Sequence, residues 1–298
     1  RPTVIAVAGL RSSANVTDDL LIVGERVTIP TANIPPFEPG GEWQQRENVT
    51  VVPVLVYPSN GRMPAGPPKI NYLDPVFDAE ATAVAVGRFD DDDYLDVVVA
   101  VAGDPGATLT VGLFDAQNQA VLGPDGTQLE EDLAIPNVAI LRNTRNGTLT
   151  PYTAGAPVWV KNHYDALGFA AKGRRILGEG EFMVSQTPQH MFTMRLDANE
   201  RPDLVILSAG SGSPGSDDYV PPQFSTWHCS SASATAYFTG PQSADVIGRG
   251  PGLPGVFDMN HDSRSDLLVP NFEDGNLTLL IRQASTLFDT PRFLAAAT

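Results

Sequence analysis

The sequence predicts an all-β protein built from repeated small antiparallel sheets. Three observations carry that expectation. Short runs rich in Val, Leu, Ile and Thr (51–56, 97–101, 204–207, 277–281) are each bounded by Gly, Pro, Asn or Asp, as strands between turns are. Helical periodicity is scarce, while 27 glycines and 26 prolines are spread along 298 residues. A polar loop between two apolar runs recurs along the chain, and an internal repeat in an all-β chain favours a propeller over a sandwich or barrel.

Taken in order, the first and most eroded copy spans 9–23 and closes on Asp19. The second spans 86–99 and closes on Asp96, the third 194–206 on Asp203, and the clearest 255–269 on Asp266. Each is an apolar strand, a nine-residue polar or acidic loop, then Asp followed by Leu or β-branched residues. The runs at 48–52, 137–141 and 276–281 all open on Asn and continue apolar, so they supply a third strand. A turn and a returning strand, as at 146–150, complete a four-stranded antiparallel unit. The uneven spacing of the closing residues implies insertions near 30–47, 103–136 and 209–225, and the stretch 156–189 reads as a unit without the loop. No composition shift marks a boundary, so 1–298 is expected to be one domain.

Composition excludes several function classes. The 35 Asp plus Glu against 19 Lys plus Arg leave a net charge of −16, a field that repels nucleic-acid backbones. The single cysteine, Cys229, rules out an internal disulfide framework and a Cys-rich zinc site. No apolar run reaches the roughly 18–20 residues of a membrane-spanning helix. The chain opens at Arg1 without a signal-peptide core, which reads as a processed or trimmed product.

The loops carry the chemistry. In 258–266, Asp258, Asn260, Asp262 and Asp266 hold positions one, three, five and nine, and Arg264 at position seven offers its backbone carbonyl. Alternate spacing in a curled loop turns hard oxygen donors toward one centre, a set suited to Ca²⁺. The alternative is an Asp-rich turn that needs no metal. Asp90, Asp92, Tyr94 and Asp96 repeat the pattern in 88–96, and Asp197, Asn199 and Asp203 in 195–203. Position one there is Arg88 or Arg195, and Arg11 in the eroded copy. These arginines are expected either to replace the ion by pairing with Asp96, Asp203 or Asp19, or to point to solvent beside a weaker calcium site.

These loops resemble FG-GAP/VCBS-type repeats, the units of integrin-α-like β-propellers, whose pattern is Asp-x-Asn-x-Asp-Gly-x-x-Asp-Leu. Asp258, Asn260, Asp262, Asp266 and Leu267 match it directly; Asp90, Asp92 and Asp96, then Asp197, Asn199 and Asp203, match it in part. Ser263 stands where the family has Gly. The resemblance implies a β-propeller of four-stranded blades, about five at this length or part of a larger ring. It also implies structural Ca²⁺, foremost at 258–266, and a non-catalytic adhesion, recognition or assembly role for a protein or glycan partner, or for neighbouring subunits. An extracellular, cell-surface or periplasmic site follows, since millimolar calcium would fill even a weak loop.

Other motifs are weaker. Sequons at Asn15, Asn48, Asn146 and Asn276 fit a secreted glycoprotein. A propeller-based carbohydrate-active lyase or hydrolase is the rival reading, with Lys161, His163, Tyr164 and Asp165 as its one dense mixed group; a structural subunit of a filament or envelope is the third. His228-Cys229 suggests thiol chemistry, but neighbours on a strand face opposite ways, so a buried inert cysteine is expected. Trp43, Trp159 and Trp227 read as packing residues.

Overall fold

The computed structural model describes residues 2–8, 10, 19–34, 44–59, 66–73, 79–90, 92–102, 108–115, 120–134, 137–144, 147–151, 169–171, 181–182, 184, 186–197, 199, 201–229, 238–284 and 288–295. Every regular element among them is a strand. Arg11, Ser13, Asn15, Trp43, Asn146, Trp159, Lys161, His163, Tyr164 and Asp165 lie outside the described residues. No helix among the described residues is long and apolar enough to cross a membrane.

Four antiparallel sheets follow one another along the chain. The first begins with β1 (Pro2–Ala8) and β2 (Asp19–Gly24). A separate ribbon of β3 (Val27–Ile34) and β4 (Gln44–Val51) intervenes before β5 (Pro53–Tyr57) and β6 (Lys69–Tyr72) complete the order β1-β2-β5-β6. The second sheet opens with β7 (Ala81–Gly87) and β8 (Asp96–Val101). A ribbon of β9 (Thr108–Asp115) and β10 (Glu130–Ala134) again intervenes before β11 (Val138–Asn143) and β12 (Leu149–Pro151). The short β13 (Phe169–Ala171) joins β9, and β14 (Glu181–Phe182) joins β11, so the described strands of 156–187 extend other sheets and do not build a unit of their own. β15 (Pro188–Met194), β16 (Asp203–Ser208), β17 (Gln223–Cys229) and β18 (Phe238–Val246) form the third sheet. β19 (Gly255–Phe257), β20 (Asp266–Asn271), β21 (Asn276–Leu280) and β22 (Arg292–Ala295) form the fourth.

The sheets stack face to face because their second strands are apolar on both sides. In β8, Val97, Val99 and Val101 pack with Leu21, Val23, Val54 and Val56 of the first sheet, while Val98 and Ala100 meet Leu204, Ile206 and Trp227 of the third. In β16, Val205 and Leu207 turn the other way, onto Leu267, Val269 and Leu280 of the fourth. An unbroken apolar run is what a strand buried on both faces requires. Trp227 is buried in this packing, with its Nε1–H donating to Ser225 Oγ at 3.1 Å. The two end sheets keep one open face each. Ile5, Ile22, Leu55 and Ile70 are cross-strand neighbours on the outer side of the first sheet, and Leu268, Leu279, Leu277 and Leu294 lie on that of the fourth. Ile5 and Ile70 are each 56% exposed.

The inserted segments share one location. The ribbon β3–β4, the ribbon β9–β10 and the loop pinned by the Ser211–Val220 bridge all leave between the second and third strands of their sheets. The fourth sheet makes the same connection with the tight turn 272–275, where Gly275 takes φ +60°. The acidic loops join first to second strands, so in each sheet they lie at the opposite strand end.

Candidate cation-binding loops

The closing Asp of each repeat is first of all a backbone staple. Asp96 accepts from the N–H of Phe89 at 3.2 Å on one oxygen and from Asn143 at 2.9 Å on the other. Asp203 repeats this with Leu196 and Cys229, and Asp266 with Met259 and Arg282. Asp19 accepts from Ser59. All four carboxylates are fully buried. Asp96, Asp203 and Asp266 therefore tie their own loops to the far end of the third strand, and Asp19 reaches Ser59 just beyond β5, satisfying backbone donors that sheet pairing leaves over.

In three of the repeats the residue that offers the anchoring N–H also grips the preceding sheet with its side chain. Asn143 Nδ2 donates to the Leu10 carbonyl, Cys229 Sγ to Phe89 O at 3.4 Å, and the Arg282 guanidinium to the carbonyls of Arg195 and Leu196 at 2.7 and 2.6 Å. Arg201 adds a bond to Phe89 O at 3.1 Å. Gly87 belongs to the same joint, where an added Cβ would fall 2.9 Å from Pro202 of the neighbouring loop. Cys229 is thus a sheet-to-sheet fastener; burial pushes its thiol up to about 12, which leaves no thiolate for chemistry.

Between the staples the three loops share a chain of local bonds. The side chains at positions three and five accept the N–H two residues on: Asp90 from Asp92 and Asp92 from Tyr94, Asp197 from Asn199 and Asn199 from Arg201, Asn260 from Asp262 and Asp262 from Arg264. What differs is the source of positive charge. In 88–96 it is Arg142, from the end of β11: Nε lies 2.7 Å from Asp90 Oδ2 and Nη2 3.5 Å from Asp92 Oδ2. Arg88 instead pairs at 3.7 Å with exposed Asp93, which corrects the expectation that it pairs with Asp96. Burial raises the carboxyl of Asp90, and Arg142 works against that rise. Asp96 is pushed up to about 7, by burial first and then by Asp90 and Asp92, against the N–H bonds from Asn143 and Phe89.

In 195–203, His228 at the end of β17 holds the corresponding place. Its Nδ1 lies 3.4 Å from Asp197 Oδ2 and 3.7 Å from Asp203 Oδ1. Arg195 contributes its carbonyl to Arg282. Burial raises Asp203, offset by its two backbone donors; Asp197 adds to the rise and His228 opposes it.

The loop 258–266 has Ile281 at the corresponding end of the third strand. Only here is position one an acid: Asp258 accepts from the N–H of Asp262 at 3.0 Å and of Ser263 at 2.9 Å. His261 and Ser263 take φ +60° and +66°, a left-handed curl that gathers the alternate side chains. Asp262 meets Arg264 at 3.1 Å. Burial tends to raise the Asp262 carboxyl, but bonds from Asn260 and Arg264 outweigh it and hold the group low. Three carboxylates, an amide oxygen and no cation from the third strand make a donor set that fits Ca²⁺. In 88–96 a calcium ion would have to displace a guanidinium.

Arg142 and His228 escape sequence reasoning because each follows its loop across a strand and an insertion. The usable signal is the residue preceding each anchoring N–H: Pro58, Arg142, His228 and Ile281. No protein-family model matches the chain, and no curated protein matches it either.

Proposed function

We propose that the chain is an FG-GAP/VCBS-like β-propeller module, braced by calcium at 258–266, that serves outside the cytoplasm as a non-catalytic binding or assembly element for a protein or glycan. The observation that carries this reading is the fourfold use of one unit: four strands, a buried Asp staple, and a side-chain grip from three of the units onto the sheet before. A radial arrangement is supported by β7, which runs beside both β1 and β15, so first strands gather along one line. It is supported further by the apolar outer faces of the first and fourth sheets, which a ring would cover.

Asp258, Asn260, Asp262 and Asp266 would hold the ion, which neutralises clustered carboxylates and pins the loop between β19 and β20. The inserted ribbons at 27–51 and 108–134 and the loop at 209–222 project from the opposite strand end and would form the recognition surface. Thermal melting in millimolar calcium and in chelator tests the bracing. At ten times its dissociation constant the ion adds about 1.4 kcal/mol, so wild type melts higher with calcium and Asp262→Ala does not. Identical wild-type curves in the two buffers overturn the calcium role. Array binding by the calcium-loaded protein, lost when 211–220 is shortened, tests the recognition surface.

A further inference from the structure

We infer that Asp197, Asp203 and His228 form a first-row transition-metal site of the zinc type, distinct in chemistry from the calcium loop at 258–266. The three side chains each offer a ligand atom, all within 4.8 Å of one another. The two N···O separations, 3.4 and 3.7 Å, are close to the roughly 3.3–3.4 Å edge of a tetrahedron around an ion with bonds of about 2.0–2.1 Å. The imidazole would therefore meet a zinc ion together with either carboxylate after only a small movement, and the three ligand atoms together lie within 4.8 Å. Calcium, which selects oxygen ligands in greater number, gains little from an imidazole.

The oxygens have capacity to spare. Asp203 Oδ1 accepts one N–H, from Cys229, and Asp197 Oδ2 accepts the Asn199 amide at 2.9 Å. A carboxylate oxygen carries two lone pairs, so Asp203 Oδ1 keeps one for a metal; Asp197 Oδ2, which also lies 3.4 Å from His228 Nδ1, keeps one once that nitrogen is a metal ligand rather than its hydrogen-bond partner. The frame is rigid: Asp203 is fully buried and stapled at both oxygens, and His228 sits at the paired end of β17, opposite Thr239. Asp197, with its side chain 26% exposed, leaves the fourth position open to water.

The neighbouring sheets give the reason for the selectivity. One third-strand position faces each acidic loop, and it carries Arg142 in the second sheet, His228 in the third and Ile281 in the fourth. A guanidinium fills its loop with permanent charge, an aliphatic side chain leaves an all-oxygen site, and an imidazole adds a borderline nitrogen ligand. That single position sets which cation each loop takes.

Calorimetric titration of chelator-stripped protein with zinc chloride, and separately with calcium chloride, tests the assignment. Wild type is expected to bind one zinc equivalent at this site. His228→Gln should weaken it by more than the roughly 10–100-fold that loss of an outer-shell partner costs, with calcium binding unchanged. Cobalt loaded in place of zinc should give the visible absorption of a tetrahedral ion, absent in the variant. No zinc binding by wild type, or unchanged binding by His228→Gln, overturns the inference. Should His228→Gln fail to fold, Arg142→His decides: a second zinc equivalent supports the inference and its absence overturns it. Identical wild-type melting with and without calcium would overturn the calcium reading and leave these zinc outcomes untouched, so the two readings fail separately.

Discussion

The loops 88–96 and 258–266 have the same staple and the same string of bonds at positions three and five, yet they balance their acids differently. In the first, Arg142 reaches in from β11 and sits on Asp90 and Asp92. In the second, the third strand offers Ile281, and among the described residues the acids meet Arg264 of their own loop. The loop frame is therefore held by carboxylate-to-backbone bonds that need no metal. The source of positive charge is a separate layer, supplied in 88–96 by one residue outside the loop.

Removing a staple should have the largest effect. Asp96→Ala orphans the buried N–H groups of Phe89 and Asn143, at about 1–3 kcal/mol each, so urea denaturation should show a loss of about 3 kcal/mol or more. Asp266→Ala should lose a similar amount in calcium-free buffer, since Met259 and Arg282 are its donors. A staple that mattered in only one loop would break the idea of a shared frame.

Swapping the cation source comes next. Arg142→Ala leaves the buried carboxylate of Asp90 unpaired, which costs about 3–5 kcal/mol for a fully buried pair. The guanidinium is 44% exposed, so about 2 kcal/mol is expected here. Millimolar calcium should restore part of that loss, making the second loop behave like the fourth. The reciprocal variant, Ile281→Arg, should abolish the calcium dependence of melting. If Arg142→Ala stays indifferent to calcium, the two loops are not interchangeable.

Acidity probes the second loop. The Asp96 carboxyl, ordinarily at 3.8, is pushed up to about 7 in the folded chain. The folded state then binds this proton more tightly than the unfolded state does. Its contribution to stability is complete below about pH 4 and is lost as pH rises through about 7. Denaturation midpoints of wild type and Asp96→Asn in calcium-free buffer should therefore diverge in trend between those limits and run parallel above them. Parallel curves throughout would show that the Asp96 charge is compensated.

Much of the frame was legible in the sequence, because the staple and the strand after it are contiguous. Asp96 with Val97–Val101 and Asp203 with Leu204–Leu207 announce a fixed turn followed by a strand buried on both faces. The charge balance was not. Arg88 and Arg195 stand inside the loops and invited pairing with Asp96 and Asp203, but position one points Arg88 toward Asp93 at the surface. Arg142 lies beyond the whole β9–β10 ribbon and His228 beyond the 209–222 loop, and only the register of the third strand brings them back. Sequence spacing reports contacts within an element; these arise between elements.

The smallest expected effect tests the curl that separates the two loops. Ser263 takes φ +66°, whereas Asp93, at the same loop position, stays out of the left-handed region. An L-residue there carries about 1–2 kcal/mol of strain, and glycine relieves it while adding freedom to the unfolded chain, which returns about 0.4–1 kcal/mol. Ser263→Gly should thus stabilise the calcium-free protein by about 0.5 kcal/mol and bring the loop closer to the family pattern. Asp93→Gly relieves no strain and gives up the pairing with Arg88, so it should be slightly destabilising. Urea midpoints for the pair decide it: a gain in both variants, or in neither, would mean that the curl at 258–266 is no special property of the loop left open for a metal ion.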